Sequence, residues 1–206
     1  MKPRALDLFC CEGGVSTGLV QAGFDVTGVD INPQPRYPYR FIQADAMTVN
    51  LSGYDFIWAS PPCQKYLRMR PNNKPKDEHP DLVGPIRARL AAAGVPYVIE
   101  NVPGAPLDVI LKLHGAMFGL PMHRDRWFES NVLLLAPATP RYKRDGTLSR
   151  SRKTQELIGM YGAFTGAPRA REALGMPWAS RYGLAQCIPP QYAAFIGRQI
   201  IAGGQA

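Results

Sequence analysis

Along the first hundred positions, hydrophobic residues fall in short continuous runs separated by stretches with helical spacing. The runs ALDLF (5–9), DVTGVDI (25–31), FIQAD (41–45), YDFIWAS (54–60) and PYVIENV (96–102) read as strands. Between them GGVSTGLVQAG (13–23) reads as a glycine-entered helix that stops at Gly23, and DLVGPIRARLAAAG (81–94) as a helix in spite of Pro85. Strands that are apolar almost throughout belong to a sheet covered on both faces, and their alternation with helices makes that sheet parallel. The predicted fold is a doubly wound α/β domain, in which ligands gather at the carboxyl ends of the strands.

Beyond Val102 the pattern loosens. Positions 103–135 suggest a helix-like piece followed by a strand pair, and the segment from Pro137 to about Ala167 is basic, glycine-rich and only weakly periodic. An excursion of that length exceeds most loops in compact domains, which marks it as functional or disordered. The stretch PPQYAAFIGRQIIAG (189–203) predicts a proline-started amphipathic helix. No internal repeat is present, and 206 residues suit one well-buried domain spanning 1–206.

Composition narrows the function classes. With 46% hydrophobic and 19% charged residues, the chain is globular and not disordered throughout. No apolar run reaches the ~18 residues of a membrane span, and the first residues lead straight into a strand, so no membrane partner and a cytoplasmic location are expected. The four cysteines, Cys10, Cys11, Cys63 and Cys187, form no C-x-x-C pair and have no histidines at zinc spacing, so neither a disulfide framework nor a metal is expected. The net charge of +8 is concentrated in YLRMRPNNKPK (66–76) and RYKRDGTLSRSRK (141–153). Such tracts suit a polyanion, above all nucleic acid, although a solvated basic loop has the same composition.

The chemistry-bearing residues cluster at predicted strand ends. Glycines in DLFCCEGGVSTG let the backbone approach a ligand at a helix N-terminus, where N–H groups lack partners. Asp30 closes the second strand, placed to hold ribose hydroxyls, and Asp45 closes the third, placed to accept from an adenine amino group; either acid alone would also serve as a cap. Cys63 follows Pro61 and Pro62, whose fixed φ aims the thiol. Glu100 stands on the adjacent rim, where burial would raise its pKa and make it a proton donor.

Taken in order, DLFCCEGG (7–14), GVD (28–30), SPPCQ (60–64), ENV (100–102), HRDRWFE (123–129) and AQCIPPQYAAFIG (185–197) resemble the motif series of the cytosine-C5 DNA methyltransferases. The resemblance implies a Rossmann-like, class I fold that uses S-adenosylmethionine, acts on double-stranded DNA and flips the target base out of the stack. It implies Cys63 as the nucleophile at cytosine C6, Glu100 at the N3 edge, Arg126 near the base and Arg124 as its loop-ordering partner. It further implies that Phe9 stacks on adenine, Gly13 and Gly14 approach the methionine part, Asp30 and Ile31 hold the ribose end, Asp45 the adenine, and that Pro62 lines the pocket. Positive charge at Arg124 and Arg126 would favour the Cys63 thiolate.

Three features differ from the family pattern. Cys11 stands where its first glycine is usual, Ala185, Gln186 and Cys187 precede the closing prolines where the family reads G-N-x-V-P, and the recognition insert at 129–167 has only roughly forty residues, short of the ~50 of an independent domain. A region that small reaches few base edges, so a short, relaxed sequence context is expected, as a self-protecting phage would use. Affinity would then rest on phosphate contacts from Arg141, Lys143, Arg144, Arg150, Arg152 and Lys153. The loop after Cys63 is expected to close over DNA through Lys65, Arg68 and Arg70, with Gln64 at the backbone or the vacated space. A monomer is expected. A tRNA cytosine-C5 methyltransferase, a catalytically silent DNA-binding homologue and an enzyme acting on a free nucleotide remain as alternatives.

Overall fold

The computed structural model describes residues 1–66, 79–138, 158–159 and 164–204. Seven strands form one sheet in the order β3-β2-β1-β4-β5-β7-β6. The strands are β1 (Arg4–Leu8), β2 (Asp25–Asp30), β3 (Arg40–Gln43), β4 (Phe56–Ala59), β5 (Tyr97–Asn101), β6 (Leu111–Leu113) and β7 (Arg126–Ser130). Neighbours from β3 to β5 pair in parallel, whereas β7 runs antiparallel between β5 and β6. This is the doubly wound, mostly parallel, Rossmann-like sheet that the hydrophobic runs predict.

Side chains that alternate along the central strands feed two cores. Ala5, Phe56, Trp58, Val98 and Phe128 pack with α1 (Gly14–Ala22) and α5 (Pro190–Gly203) on one face. Leu6, Leu8, Ile57, Ala59 and Ile99 pack with Ile86 and Leu90 of α2 (Val83–Ala93) on the other. With both faces covered, the strands need no polar alternation, which is why they read as unbroken apolar runs. Pro85 is harmless because it sits in the first turn of α2, where an N–H has no helical acceptor.

The region after β5 departs from the expected order. The helix-like piece is a strand, β6, in which Leu111 and Leu113 are buried and Lys112 between them is exposed with its ammonium 4.7 Å from the Trp127 ring centre. A period of two over three residues is too short to stand out from a helical spacing. Only a 3-10 turn at Gly115–Phe118 separates β6 from β7. Two helices that the sequence pattern does not announce, α3 (Ala167–Leu174) and α4 (Arg181–Gln186), build a third small core with Met122, Met176, Ala179 and Cys187.

Helices α1 and α5 meet almost backbone to backbone. A β-carbon at Gly18 would press on the Pro190 carbonyl oxygen, with Ala193 and Ala194 each at 2.7 Å, and one at Gly197 would lie 2.9 Å from Ala22. Gly18→Ala is therefore expected to cost about 1–3 kcal/mol in urea denaturation. Gly84→Ala in α2, whose new β-carbon meets nothing, should instead gain up to about 1 kcal/mol from helix propensity. Equal effects of the two substitutions would contradict this packing.

Candidate active site

A cavity of about 620 Å³ opens at the carboxyl ends of β1, β2, β4 and β5. It lies where α1 leaves β1 toward one face of the sheet and α2 follows β4 toward the other, the topological switch point of such a sheet.

The turn after β1 forms one wall. Phe9 and Cys11 are both left-handed, at φ 63° and 46°, a conformation that costs an L-residue about 1–2 kcal/mol. Cys11 thus takes the backbone shape that glycine takes freely, so the glycine-to-cysteine difference leaves the turn intact. Two bonds to β2 hold it: the Cys10 N–H donates to the Val29 carbonyl at 3.0 Å, and the Cys11 N–H donates to Asp30 Oδ2 at 3.0 Å. Asp30 Oδ1 accepts from the Asn32 N–H, also at 3.0 Å, which fixes the carboxylate on the cavity wall beside Ile31.

Gly14 lines the cavity, but Gly13 does not; at φ 87° it precedes α1, and a β-carbon there would sit 3.1 Å from the Tyr37 ring. Asp45 also lies off the cavity wall. Strand β3 ends at Gln43, two residues earlier than the sequence reading places it, so the acid falls in a turn. There its Oδ1 accepts from the Met47 N–H at 2.8 Å and its carbonyl from Thr48 and Val49, the capping role.

The nucleophile candidate stands opposite. Cys63 is half-buried on the cavity wall with Pro61, Pro62 and Gln64. Asn101, fully inside the protein, donates to the Pro61 carbonyl at 3.0 Å and so ties the proline turn to the end of β5. Its neighbour Glu100 is 4% exposed and pairs with Arg126, Oε1 to Nε 2.8 Å. Burial pushes the Glu100 carboxyl above its ordinary range against the pull of Arg126, Arg124 and the Ser60 hydroxyl. Burial, followed by Glu100, likewise raises the Cys63 thiol, and Arg126 and Arg124 only offset this in part. Burial and then Glu100 outweigh the arginines, so the expected thiolate-favouring balance is not present in the resting site. Cys11, on the same wall, is pushed up to about 12 chiefly by burial, with Asp30 and Glu12 adding to it and no cation opposing. Of these two cavity thiols, Cys63 is the one with arginines at hand.

The paired arginines have different jobs. Arg126 lines the cavity, whereas Arg124, 6% exposed and at φ 46°, does not. Its Nε donates to the Cys187 carbonyl at 3.0 Å, and its Nη2 to the carbonyls of Ala185 at 2.5 Å and Cys187 at 2.7 Å. These bonds fasten the segment 185–187 in place. Lys65 is ion-paired to Asp81 at 3.6 Å, and the Tyr66 hydroxyl bonds the same carboxylate. Arg68, Arg70, Arg141, Lys143, Arg144, Arg150, Arg152 and Lys153 lie outside the described residues.

Several wall residues have partners that the sequence pattern does not announce. Asp7 is wholly buried; Ser16 Oγ donates to its Oδ2 at 2.5 Å and lies 2.6 Å from the Tyr37 hydroxyl, while Oδ1 has no hydrogen-bond partner. Glu12, 9% exposed, accepts at 2.6 Å from both the N–H and the Oγ of Ser180, and its carbonyl accepts from Trp178 Nε1 at 3.0 Å. Tyr182, two residues on, stands on the cavity wall. An alternation of polar and apolar residues cannot reveal such pairings across more than 160 positions. Among the described residues no cluster of histidine, cysteine and acidic side chains suits a metal ion, and no helix is long and apolar enough to cross a membrane.

No protein-family model matches the chain, and no curated protein matches it. Among solved structures it is similar to a prophage-encoded E. coli protein described as a DNA modification methyltransferase, at 23% identity over 61% of this chain and 45% of that one, with TM-score 0.47. It is similar to the S. pombe Dnmt2 methyltransferase at 19% identity, over 77% of this chain and 59% of that one, with TM-score 0.45. A Salinibacter ruber RNA methyltransferase solved with S-adenosyl-L-homocysteine shares 11% identity over 68% of this chain and 87% of its own, with TM-score 0.41. The chain spans about half the length of the first two. These likenesses are at the level of fold.

Burial pushes the Asp7 carboxyl from 3.8 up to about 7. Between those values the folded protein keeps a proton that the unfolded chain has lost, so this group makes stability fall as pH rises from about 4 to about 7. Asp7→Asn is expected to flatten the slope in urea titrations across that interval; a slope unchanged by the substitution would assign the ionisation to another group.

Proposed function

We propose that this protein is an S-adenosylmethionine-dependent cytosine-C5 methyltransferase acting on double-stranded DNA. The observation that carries the reading is one cavity wall bearing Phe9, Asp30 and Ile31 at one end and Cys63, Glu100 and Arg126 at the other. The first set suits a nucleoside and the second suits addition chemistry on an electron-poor ring. The wall also fits a cationic cofactor: Asp7 offers a buried oxygen without a partner, and Asp30 a fixed carboxylate. When bound, S-adenosylmethionine supplies an electrophilic methyl group on a positively charged sulfur.

The chain's own residues do the remaining work. Cytosine C5 is a poor nucleophile until a group adds at C6, so Cys63, its proton lost to solvent, forms a sulfur–carbon bond there as thiolate and the ring electrons move toward C5 and N3. Glu100, whose carboxyl burial shifts toward the protonated form, takes up a proton from solvent as it parts from Arg126, faces N3 as donor and balances the charge that arrives. After C5 has gained its methyl group, loss of the C5 proton to solvent re-forms the double bond and expels the Cys63 sulfur as thiolate. Arg126 is freed from Glu100 when that carboxyl is protonated, and its charge then favours the thiolate. The two pKa shifts thus support each other once a base is present. The +8 charge supports a polyanionic substrate, and a monomer acting on DNA with a short sequence context belongs to the same reading.

The test is incubation with labelled S-adenosylmethionine and duplex DNA, tRNA or dCMP, followed by base-resolution sequencing of any labelled nucleic acid. Label is expected in 5-methylcytosine of duplex DNA, none with Cys63→Ala, and a rate ~10²–10⁴-fold lower with Glu100→Gln. Label confined to tRNA or dCMP would replace the DNA reading, and label that survives Cys63→Ala would overturn the mechanism. Because the thiol is raised in the free enzyme, kcat/KM should climb with pH from neutral into the alkaline range. A profile that is flat there would show that the Cys63 proton is not limiting.

A further inference from the structure

We infer that Tyr182 is a cofactor-contacting residue whose ring faces the sulfonium of bound S-adenosylmethionine and lets the protein favour that cation over the neutral product. The inference rests on the cofactor reading above and adds to it a residue outside every motif that suggested that reading.

Tyr182 is 68% exposed, yet it belongs to the cavity wall. A bulky aromatic left in solvent at a cavity mouth has no packing role in the folded chain, and its burial is available to a ligand. The backbone beneath it is nevertheless pinned. Ser180 caps α4 by accepting from the Gly183 N–H at 2.9 Å, and both its N–H and its hydroxyl are held by buried Glu12. Gly183 packs so tightly on Glu12 that a β-carbon there would overlap the carboxylate. Across the mouth, Arg36 Nη1 donates to the Trp178 carbonyl at 3.3 Å, joining the segment to the proline-rich loop that follows β2. Tyr182 is thus an exposed ring on a fixed mount.

Its position along the cavity follows from its mount. Glu12, which holds Ser180 and packs on Gly183, follows Cys11, whose N–H is bonded to Asp30 at the nucleoside end, and the same wall carries Cys63 at the reaction end. The cofactor's sulfur is bonded to the ribose on one side and carries the methyl group that must reach the base at Cys63 on the other. A ring on the wall shared by Asp30 and Cys63 is therefore placed to reach the sulfur. Among the described residues Phe9 and Tyr182 are the aromatic side chains on the wall, and Phe9 comes from the turn after β1. The face of an aromatic ring attracts a cation and has no such attraction for a neutral thioether.

Calorimetric titration of the whole protein with S-adenosylmethionine and, separately, S-adenosylhomocysteine tests this without turnover. Tyr182→Ala is expected to weaken the cationic ligand by roughly five- to tenfold and the neutral one by clearly less, while Tyr182→Phe stays within about twofold of wild type for both. The melting temperature without ligand should be unchanged, since the ring is in solvent. Equal weakening of both ligands, no weakening of either, or a Phe variant as poor as the Ala variant would overturn the inference. Wild-type protein that binds neither ligand would instead remove the cofactor reading itself and this inference with it.

Discussion

The close approach of α1 and α5 is the constraint on which the site depends. Where Gly18 and Gly197 remove the β-carbons, the two backbones nearly touch, and Gly14 lets the Cys187–Ile188 backbone lie against the start of α1. That contact turns residues more than 170 positions apart in sequence into adjoining parts of one wall, from Phe9–Gly14 to Gln186–Ile188. Arg124 then secures the seam by holding the carbonyls of Ala185 and Cys187. A larger side chain at these glycines would separate the helices and open the wall as well as the core.

On the opposite side, position is set by the union of two strand ends. Asn101 grips the Pro61 carbonyl, so the turn that carries Cys63 and the strand that carries Glu100 move as one piece. Charge is arranged with the same economy. Glu100 and Arg126 neutralise each other inside the protein, and Cys63 keeps its proton beside them.

Much of this was legible in the chain itself, for identifiable reasons. The central strands announce themselves because both faces of the sheet are covered, and Asp30 and Glu100 fall on strands that the apolar runs delimit, whereas Cys63 lies in the turn beyond the end of β4. Asp45 was misplaced because β3 is a short edge strand with exposed residues, whose end no hydrophobic run marks. The strand β6 was hidden by its three-residue length, and α3 and α4 by their short spans of eight and six residues. The Glu12–Ser180 clasp and the Asp7–Ser16–Tyr37 chain are tertiary hydrogen bonds, and spacing along a sequence does not encode them.

The seam between α1 and α5 also has a bearing on the order of events in folding. Strands β1 to β5 and helices α1 and α2 can assemble from neighbouring segments, but the cavity lacks one wall until α5, the last element described, has docked against α1. During synthesis, at about 5–20 residues per second, the turn at Phe9–Gly14 therefore waits of order ten seconds or more for its partner. In that interval the apolar face of α1 and the sheet beneath it stay uncovered, which makes the nascent sheet, and not the finished protein, the species most exposed to wrong association.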